Sequence, residues 1–292
     1  MRVVFFGTRG TFSAAALETL LSDHTVIAVV QPAFRRREAI RAALGTVWRG
    51  GRSDPVTALA RRHRVPRWPM TGPRHEAVRS AVRGAAPDVI CIAGFPWILP
   101  PGVYQAARLA AINVHPSLLP RHRGLLPLFW VYHADDRETG VTVHRVTERA
   151  DAGGILEQEG FPLPRGCPVD RLNDRNGMAA GLALRRAVTA LAEGVARERS
   201  QDERLVTTAP AVQPGTPMVD FAAWDVERVW HFLAGLFPRF IEPLSSDRGP
   251  VRYGGVRGFR REVHSRAPGT VAVTRQGPEL YCADGVVELD PS

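Results

Sequence analysis

Short apolar runs alternate with helical stretches through the first two thirds of this 292-residue chain, and no other feature restricts the fold as strongly. Residues 2–6 form an almost wholly apolar run. It is closed by Gly7-Thr8-Arg9-Gly10 and followed by a helical pattern over 11–21. Residues 25–30 repeat the strand signal, Asp54-Pro55 reads as the N-cap and first-turn proline of a helix over 56–63, and 65–68 form a short strand. A helix over 73–83 and a buried strand over 89–93, introduced by Pro87-Asp88, continue the series. Strands that are apolar on both faces need a covering layer on each side. The expectation is therefore an α/β fold, a Rossmann-like doubly wound and mostly parallel sheet with helices on both faces. Ligands in open sheets of this kind bind beyond the C-terminal strand ends, so chemistry is sought there first. The Gly7 to Gly10 turn could face an anion, but it lacks full G-x-G-x-x-G spacing and reads better as a tight turn.

Residues 109–127 carry the clearest chemical signal. Asn113 and His115 are two apart, so an extended backbone projects both from one face, while Ile112 and Val114 take the other. Pro116 cannot continue a hydrogen-bonded ladder, so the strand should stop at His115. An amide and an imidazole are thereby left together at a strand's C-terminal end. Both can donate to a carbonyl oxygen that is acquiring negative charge, and removing such a donor from a comparable hole costs roughly 3–4 kcal/mol. Acyl transfer is the reaction class implied. Alone, however, an Asn-x-His reads more readily as a turn-forming Asn beside a hydrogen-bonded His. Asp151-Ala152-Gly153-Gly154 is likewise good turn chemistry as well as a source of a carboxylate.

The longer string Asn113-Val114-His115-Pro116-Ser117-Leu118-Leu119-Pro120-Arg121-His122-Arg123-Gly124 resembles the signature of the formyltransferases that use 10-formyltetrahydrofolate. Gly140-Val141-Thr142-Val143-His144-Arg145-Val146, followed by Arg149-Ala150-Asp151-Ala152-Gly153-Gly154, looks like the family's next strand and aspartate-bearing loop. Residues 87–99, with Cys91-Ile92-Ala93-Gly94-Phe95, are similar to its folate-side strand and loop. The likeness extends over most of residues 1–195. It implies that Asn113, His115 and Asp151 are the catalytic three, with Asp151 keeping His115 charged. It further implies that Phe95, Pro96, Trp97, Ile98 and Leu99, with Ser117, Leu118, Leu119 and Pro120, line the folate pocket, with 10-formyltetrahydrofolate as formyl donor and no metal. His122 stands where relatives have an aromatic and reads as loop surface; His144 reads as structural.

Composition narrows the remaining choices. The formal charge of +9 would suit a polyanionic partner, yet the chain contains no lysine and all 38 cationic residues are arginine. Alongside abundant Ala, Gly and Pro, this points to compositional bias, and the charge is discounted as a sign of binding. Cys91, Cys167 and Cys282 are odd in number and widely spaced, as expected for reduced thiols. No run reaches the roughly 18 apolar residues of a membrane helix and no leader pattern opens the chain, so a cytoplasmic location is expected.

A helix over 169–193, stopped by Gly194, should close a catalytic domain over residues 1–199. Residues 200–217 have the composition of a linker, and 218–292 should form a small C-terminal domain, a helix over 224–237 followed by short strands. Its Pro268-Gly269-Thr270-Val271 turn resembles the barrel-like, OB-type domain of tRNA and amino-sugar formyltransferases. The expected acceptor is a small primary amine, on a nucleotide-linked sugar or a specialised metabolite. The Arg-rich stretch 35–52 lacks the Pro-Asp-Arg-Pro opening found in relatives that act on initiator tRNA. Methionyl-tRNA formylation is the alternative, followed by hydrolysis of the donor or a non-catalytic folate-binding role. A monomer or homodimer without a membrane partner is expected.

Overall fold

The computed structural model describes residues 1–33 and 54–292, so the Arg-rich stretch 35–52 lies outside the described residues. Seven strands build one sheet: β1 (Arg2–Gly7), β2 (Thr25–Pro32), β3 (Arg67–Met70), β4 (Val89–Ala93), β5 (Ala110–His115), β7 (Glu138–Arg145) and β8 (Ile155–Pro162). A two-residue strand, β6 (Arg123–Gly124), lies outside it and pairs with β9 (Thr208–Ala209). The sheet order is β3-β2-β1-β4-β5-β7-β8. The first five strands run parallel, and β7 and β8 are antiparallel to their neighbours. The doubly wound sheet read from the sequence is present. Strand β8 carried no sequence signal because it is an edge strand whose central Glu157, Gln158 and Glu159 are half-buried, leaving no apolar alternation to read.

Period-two alternation divides the side chains between two cores. Val3 and Phe5 of β1 join Cys91, Ile112, Val114, Val141 and Val143 beneath α1 (Thr11–Asp23), α2 (Pro55–Arg62) and α6 (Val169–Glu193). Val4 and Phe6 join Ile90, Ile92 and Ala111 beneath α3 (Glu76–Ala85) and α4 (Pro101–Tyr104). Phe5 and Phe6 are fully buried, and each contributes about 1.5–3 kcal/mol by leaving water. Helix α2 begins as its sequence dictates, with Asp54 accepting from the Thr57 backbone N–H at 2.9 Å and proline in the first turn.

Register then places the site. Ala111 packs in the second core, so Asn113 and His115 continue its face beyond the packed layer. Ile92 stands opposite Asn113 and Ala93 opposite Val114, so the loop that begins at Gly94 departs beside His115. Across the antiparallel pair, Asn113 faces His144 and His115 faces Thr142.

The chain divides into two compact units, residues 1–127, 138–162 and 173–210, and residues 128–137, 163–172 and 211–292. The sequence placed 128–137 and 163–172 in the N-terminal part and read 200–217 as linker, whereas residues 200–210 pack within the first unit through β9. The reason is aromatic surface. Phe129 of α5 (Pro127–His133) lies 5.0 Å from Phe240 and 5.5 Å from Phe232, and His133 lies 5.1 Å from Trp224. Periodicity identifies a helix but not the surface that covers it.

In the second unit, α7 (Val226–Leu236) accompanies a hairpin of β10 (Leu244–Ser246) and β11 (Gly249–Val251). A four-stranded antiparallel sheet completes it, in the order β12 (Tyr253–Arg261), β15 (Gly285–Pro291), β14 (Gly277–Cys282), β13 (Val271–Thr274). Strand β12 runs unbroken from Tyr253 to Arg261 although Gly254, Gly255 and Gly258 interrupt its sequence pattern, and its register shifts at these glycines. All three cysteines are free.

His231 of α7 gives the second unit an acid sensitivity. It is fully buried, its Nδ1 accepts the Gly166 N–H at 2.9 Å, and Nε2 has no partner among the described residues. Burial, assisted by the charge of Arg165, pushes its pKa down from 6.5 to about 4. Above pH 6.5 both folded and unfolded His231 are neutral. As pH falls from 6.5 towards 4 the unfolded chain takes up a proton that the folded chain refuses, so stability falls by about 3 kcal/mol across the window. Urea titrations of the parent and His231→Gln at pH 7 and pH 4.5 should show a flatter pH response in the variant. Identical slopes would place the acid sensitivity elsewhere.

Candidate active site

Three elements bring their polar groups to one point in the first unit. Strand β5 supplies Asn113 and His115, β7 supplies His144, and the loop between β7 and β8 supplies Asp151. Asn113 Nδ2 donates to Asp151 Oδ1 at 3.2 Å and lies 3.1 Å from His144 Nε2. His115 Nδ1 is 3.6 Å from Asp151 Oδ2, and that same oxygen accepts the Gly124 backbone N–H at 2.9 Å.

Proton positions follow from what each partner can accept. A backbone carbonyl only accepts, so His115, whose Nε2 is 2.8 Å from the His122 carbonyl oxygen, holds its proton there. Nδ1 then faces the Asp151 carboxylate. His144 likewise donates Nδ1–H to the Arg145 carbonyl at 2.8 Å, leaving Nε2 as acceptor for one Asn113 N–H while the other goes to Asp151. Both amide hydrogens of Asn113 are thus engaged.

The charges are set against burial. Burial by itself would raise the Asp151 carboxyl, but His115, His144 and the Gly124 N–H together hold it well below the usual carboxylate range. His115 is buried, and burial lowers its pKa more than the neighbouring Asp151 carboxylate raises it. Burial and the carboxylate therefore pull the His115 imidazole in opposite directions.

Residues 1–188, more than half of the chain, match the formyl transferase family. The chain belongs to that family. As a formyltransferase it is an enzyme, and the resemblance read from the signature is borne out. It is 30% identical to the methionyl-tRNA formyltransferase of Halalkalibacterium halodurans over 243 residues, 82% of this chain and 72% of the relative. The methionyl-tRNA formyltransferase of Geotalea uraniireducens is 28% identical over 297 residues, 99% of this chain and 89% of the relative. Among solved structures, the N-formyltransferase from Helicobacter canadensis, in complex with folinic acid and dTDP-3-aminofucose, superposes with a TM-score of 0.68 at 12% identity. The superposition covers 100% of this chain and 99% of that one, a likeness of fold. Among the described residues no helix is long and apolar enough to cross a membrane.

The other site residues read from the sequence of this formyltransferase sit in different settings. Phe95, Pro96 and Trp97 are half-exposed on the loop after β4, where Phe95 packs edge-on against Phe6 at 5.3 Å and Trp97 at 5.5 Å. Ile98 is 62% exposed, whereas Leu99 is buried in the second core. Of the signature residues, Leu118 and Pro120 are half-exposed and Leu119 is buried. Ser117 is fully buried, its hydroxyl donating to the Arg121 carbonyl and its own carbonyl accepting from Thr142.

Sequence reasoning passed over two histidines here. His144 was read as structural, although Thr142 and His144 repeat on β7 the polar alternation that marks Asn113 and His115 on β5. His122 was read as loop surface, but it is 3% exposed and adopts a left-handed backbone conformation (φ 60°), with its carbonyl turned to His115. No local signal announces that turn.

Proposed function

We propose that this formyltransferase moves the formyl group of 10-formyltetrahydrofolate onto the primary amine of a small molecule through Asn113, His115 and Asp151. The convergence of one amide and one imidazole on a single carboxylate, at 3.2 and 3.6 Å, carries the reading. The neutral amine attacks the formyl carbon, and the carbonyl electron pair moves onto oxygen. That oxyanion competes with His144 Nε2 for an Asn113 N–H, a charged acceptor displacing a neutral one. His115 takes up a proton from the attacking nitrogen, and the Asp151 carboxylate stabilises the imidazolium so formed. The proton passes to the departing folate nitrogen as the carbon–nitrogen bond breaks. The half-exposed loop at Phe95 to Trp97, which leaves β4 beside His115, is the proposed wall of the folate pocket, with Ile98, Leu118 and Pro120 near its mouth.

The acceptor is proposed to be an amino group on a nucleotide-linked sugar or a specialised metabolite. The missing Pro-Asp-Arg-Pro opening in 31–53 and the full-length fold likeness to an N-formyltransferase solved with dTDP-3-aminofucose support this reading. Methionyl-tRNA is the second reading, favoured by the names of the curated relatives. Purified protein with 10-formyltetrahydrofolate should formylate a member of an amino-sugar panel that includes dTDP-3-aminofucose, with methionyl-tRNA a poor acceptor. Efficient formylation of methionyl-tRNA alone would overturn the preference.

A further inference from the structure

A segment read from the sequence as linker ties the two catalytic loops together. Residues 199–209 run across them, held at one end by the Arg199 and Ile155 backbones (2.8 and 2.9 Å) and at the other by β9 against β6. Between these anchors the Gln201 amide spans both loops. Its Oε1 accepts Nε and Nη2 of Arg123 at 3.0 and 2.8 Å, and its Nε2 donates to the carbonyls of Asp151 and Gly153 at 2.8 and 2.7 Å. A guanidinium only donates and carbonyls only accept, so the amide orientation is fixed. Arg123 is 7% exposed and also paired with Glu203 at 2.9 Å. The next residue, Gly124, sends its N–H to Asp151 Oδ2 at 2.9 Å, and its backbone (φ 130°) runs so close to β9 that a Cβ would lie 2.8 Å from the Ala209 carbonyl oxygen.

Asp151 needs such ties. Its backbone is left-handed (φ 53°), a conformation that a non-glycine residue keeps only when its surroundings hold it. We infer that Gln201 is a positioning residue for formyl transfer, its amide holding the Asp151 loop in register with the signature loop so that the carboxylate stays against His115 and Asn113. The inference rests on the role proposed above for Asp151. Glutamate at 201 would keep the Arg123 contact but turn a carboxylate towards two carbonyl oxygens, breaking only the Asp151 side of the bridge.

Two readouts test it, one independent of any acceptor. His115 is faced by Asp151 from the loop after β7, by His144 from β7 and by His122 from the signature loop. In histidine-detected NMR titrations, Gln201→Glu and Gln201→Ala should move the His115 midpoint to lower pH, because the carboxylate that opposes its burial retreats. With dTDP-3-aminofucose or methionyl-tRNA, whichever the parent formylates, kcat should fall ten- to hundredfold in both variants with KM for the donor little changed. Melting temperatures within a few degrees of the parent would accompany both effects. An unmoved His115 midpoint, or Gln201→Glu turnover within twofold of the parent, would overturn the inference. Full activity in His115→Ala would instead sink the proposed chemistry while leaving the titration result standing.

Discussion

Asn113→Ala should lower kcat/KM for formyl transfer by about 10²–10³-fold, the range seen when one donor to a developing oxyanion is removed, and His115→Ala by about 10²–10⁴-fold as the proton acceptor is lost, while both proteins still fold. Asp151→Asn should lose about 100-fold or more. The isosteric amide can still receive the Gly124 N–H through its oxygen, but it no longer stabilises an imidazolium at Nδ1. The losses should not add. Asn113 and His115 both hydrogen-bond or pair with Asp151, so the double variants should resemble the worse single one. Steady-state kinetics on the three single variants and on Asn113→Ala/His115→Ala decide the matter, with thermal melts to confirm folding. Near-parent turnover in any single variant would refute the assignment of that residue.

A smaller change two positions beyond Asp151 should be nearly as damaging. A Cβ on Gly153 would fall on the carbonyl oxygen of Arg145, a backbone group with no room to yield, because Arg145 also bonds the Gly154 carbonyl through its own N–H at 2.9 Å. Gly153→Ala must therefore push the Asp151 loop off β7. Overpacking of this kind costs about 1–3 kcal/mol of stability, and the displaced carboxylate should lower formyl transfer at least tenfold, since small misplacements of reacting groups are expensive. Gly154→Ala is the matched control. There the added carbon meets the Glu198 side chain, which is 44% exposed and can swing away from its ion pair with Arg145. Activity should survive in Gly154→Ala and fall in Gly153→Ala. Equal behaviour of the two would mean that the loop has slack which the structure does not show.

These outcomes bear on how much of the protein can be read from its residues. Continuous apolar runs such as 89–93 were legible because strands covered on both faces are apolar throughout, and β4 occupies those five residues. The helix from Val169 to Glu193 was legible because a long amphipathic repeat ended at a glycine, Gly194, with φ 70°. Asn113 and His115 were legible because alternation puts them on one face and Pro116 ends the strand. Strand β8 was not, since an edge strand lined with Glu157, Gln158 and Glu159 has no apolar pattern.

What the residue order determined by itself was local and periodic: the alternation of strands and helices, the strand end that presents an amide beside an imidazole, and the signature string that marks a formyltransferase. Tertiary structure alone decided which distant groups meet there. His144 enters through antiparallel register with β5, and Gln201 arrives from about 50 residues beyond Asp151. The protonation state of His115 also belongs to the folded molecule, because burial lowers its pKa and no neighbour in sequence records how much water a side chain has lost. Backbone propensity acts over a few residues. Desolvation and long-range contact exist only once the chain has closed on itself.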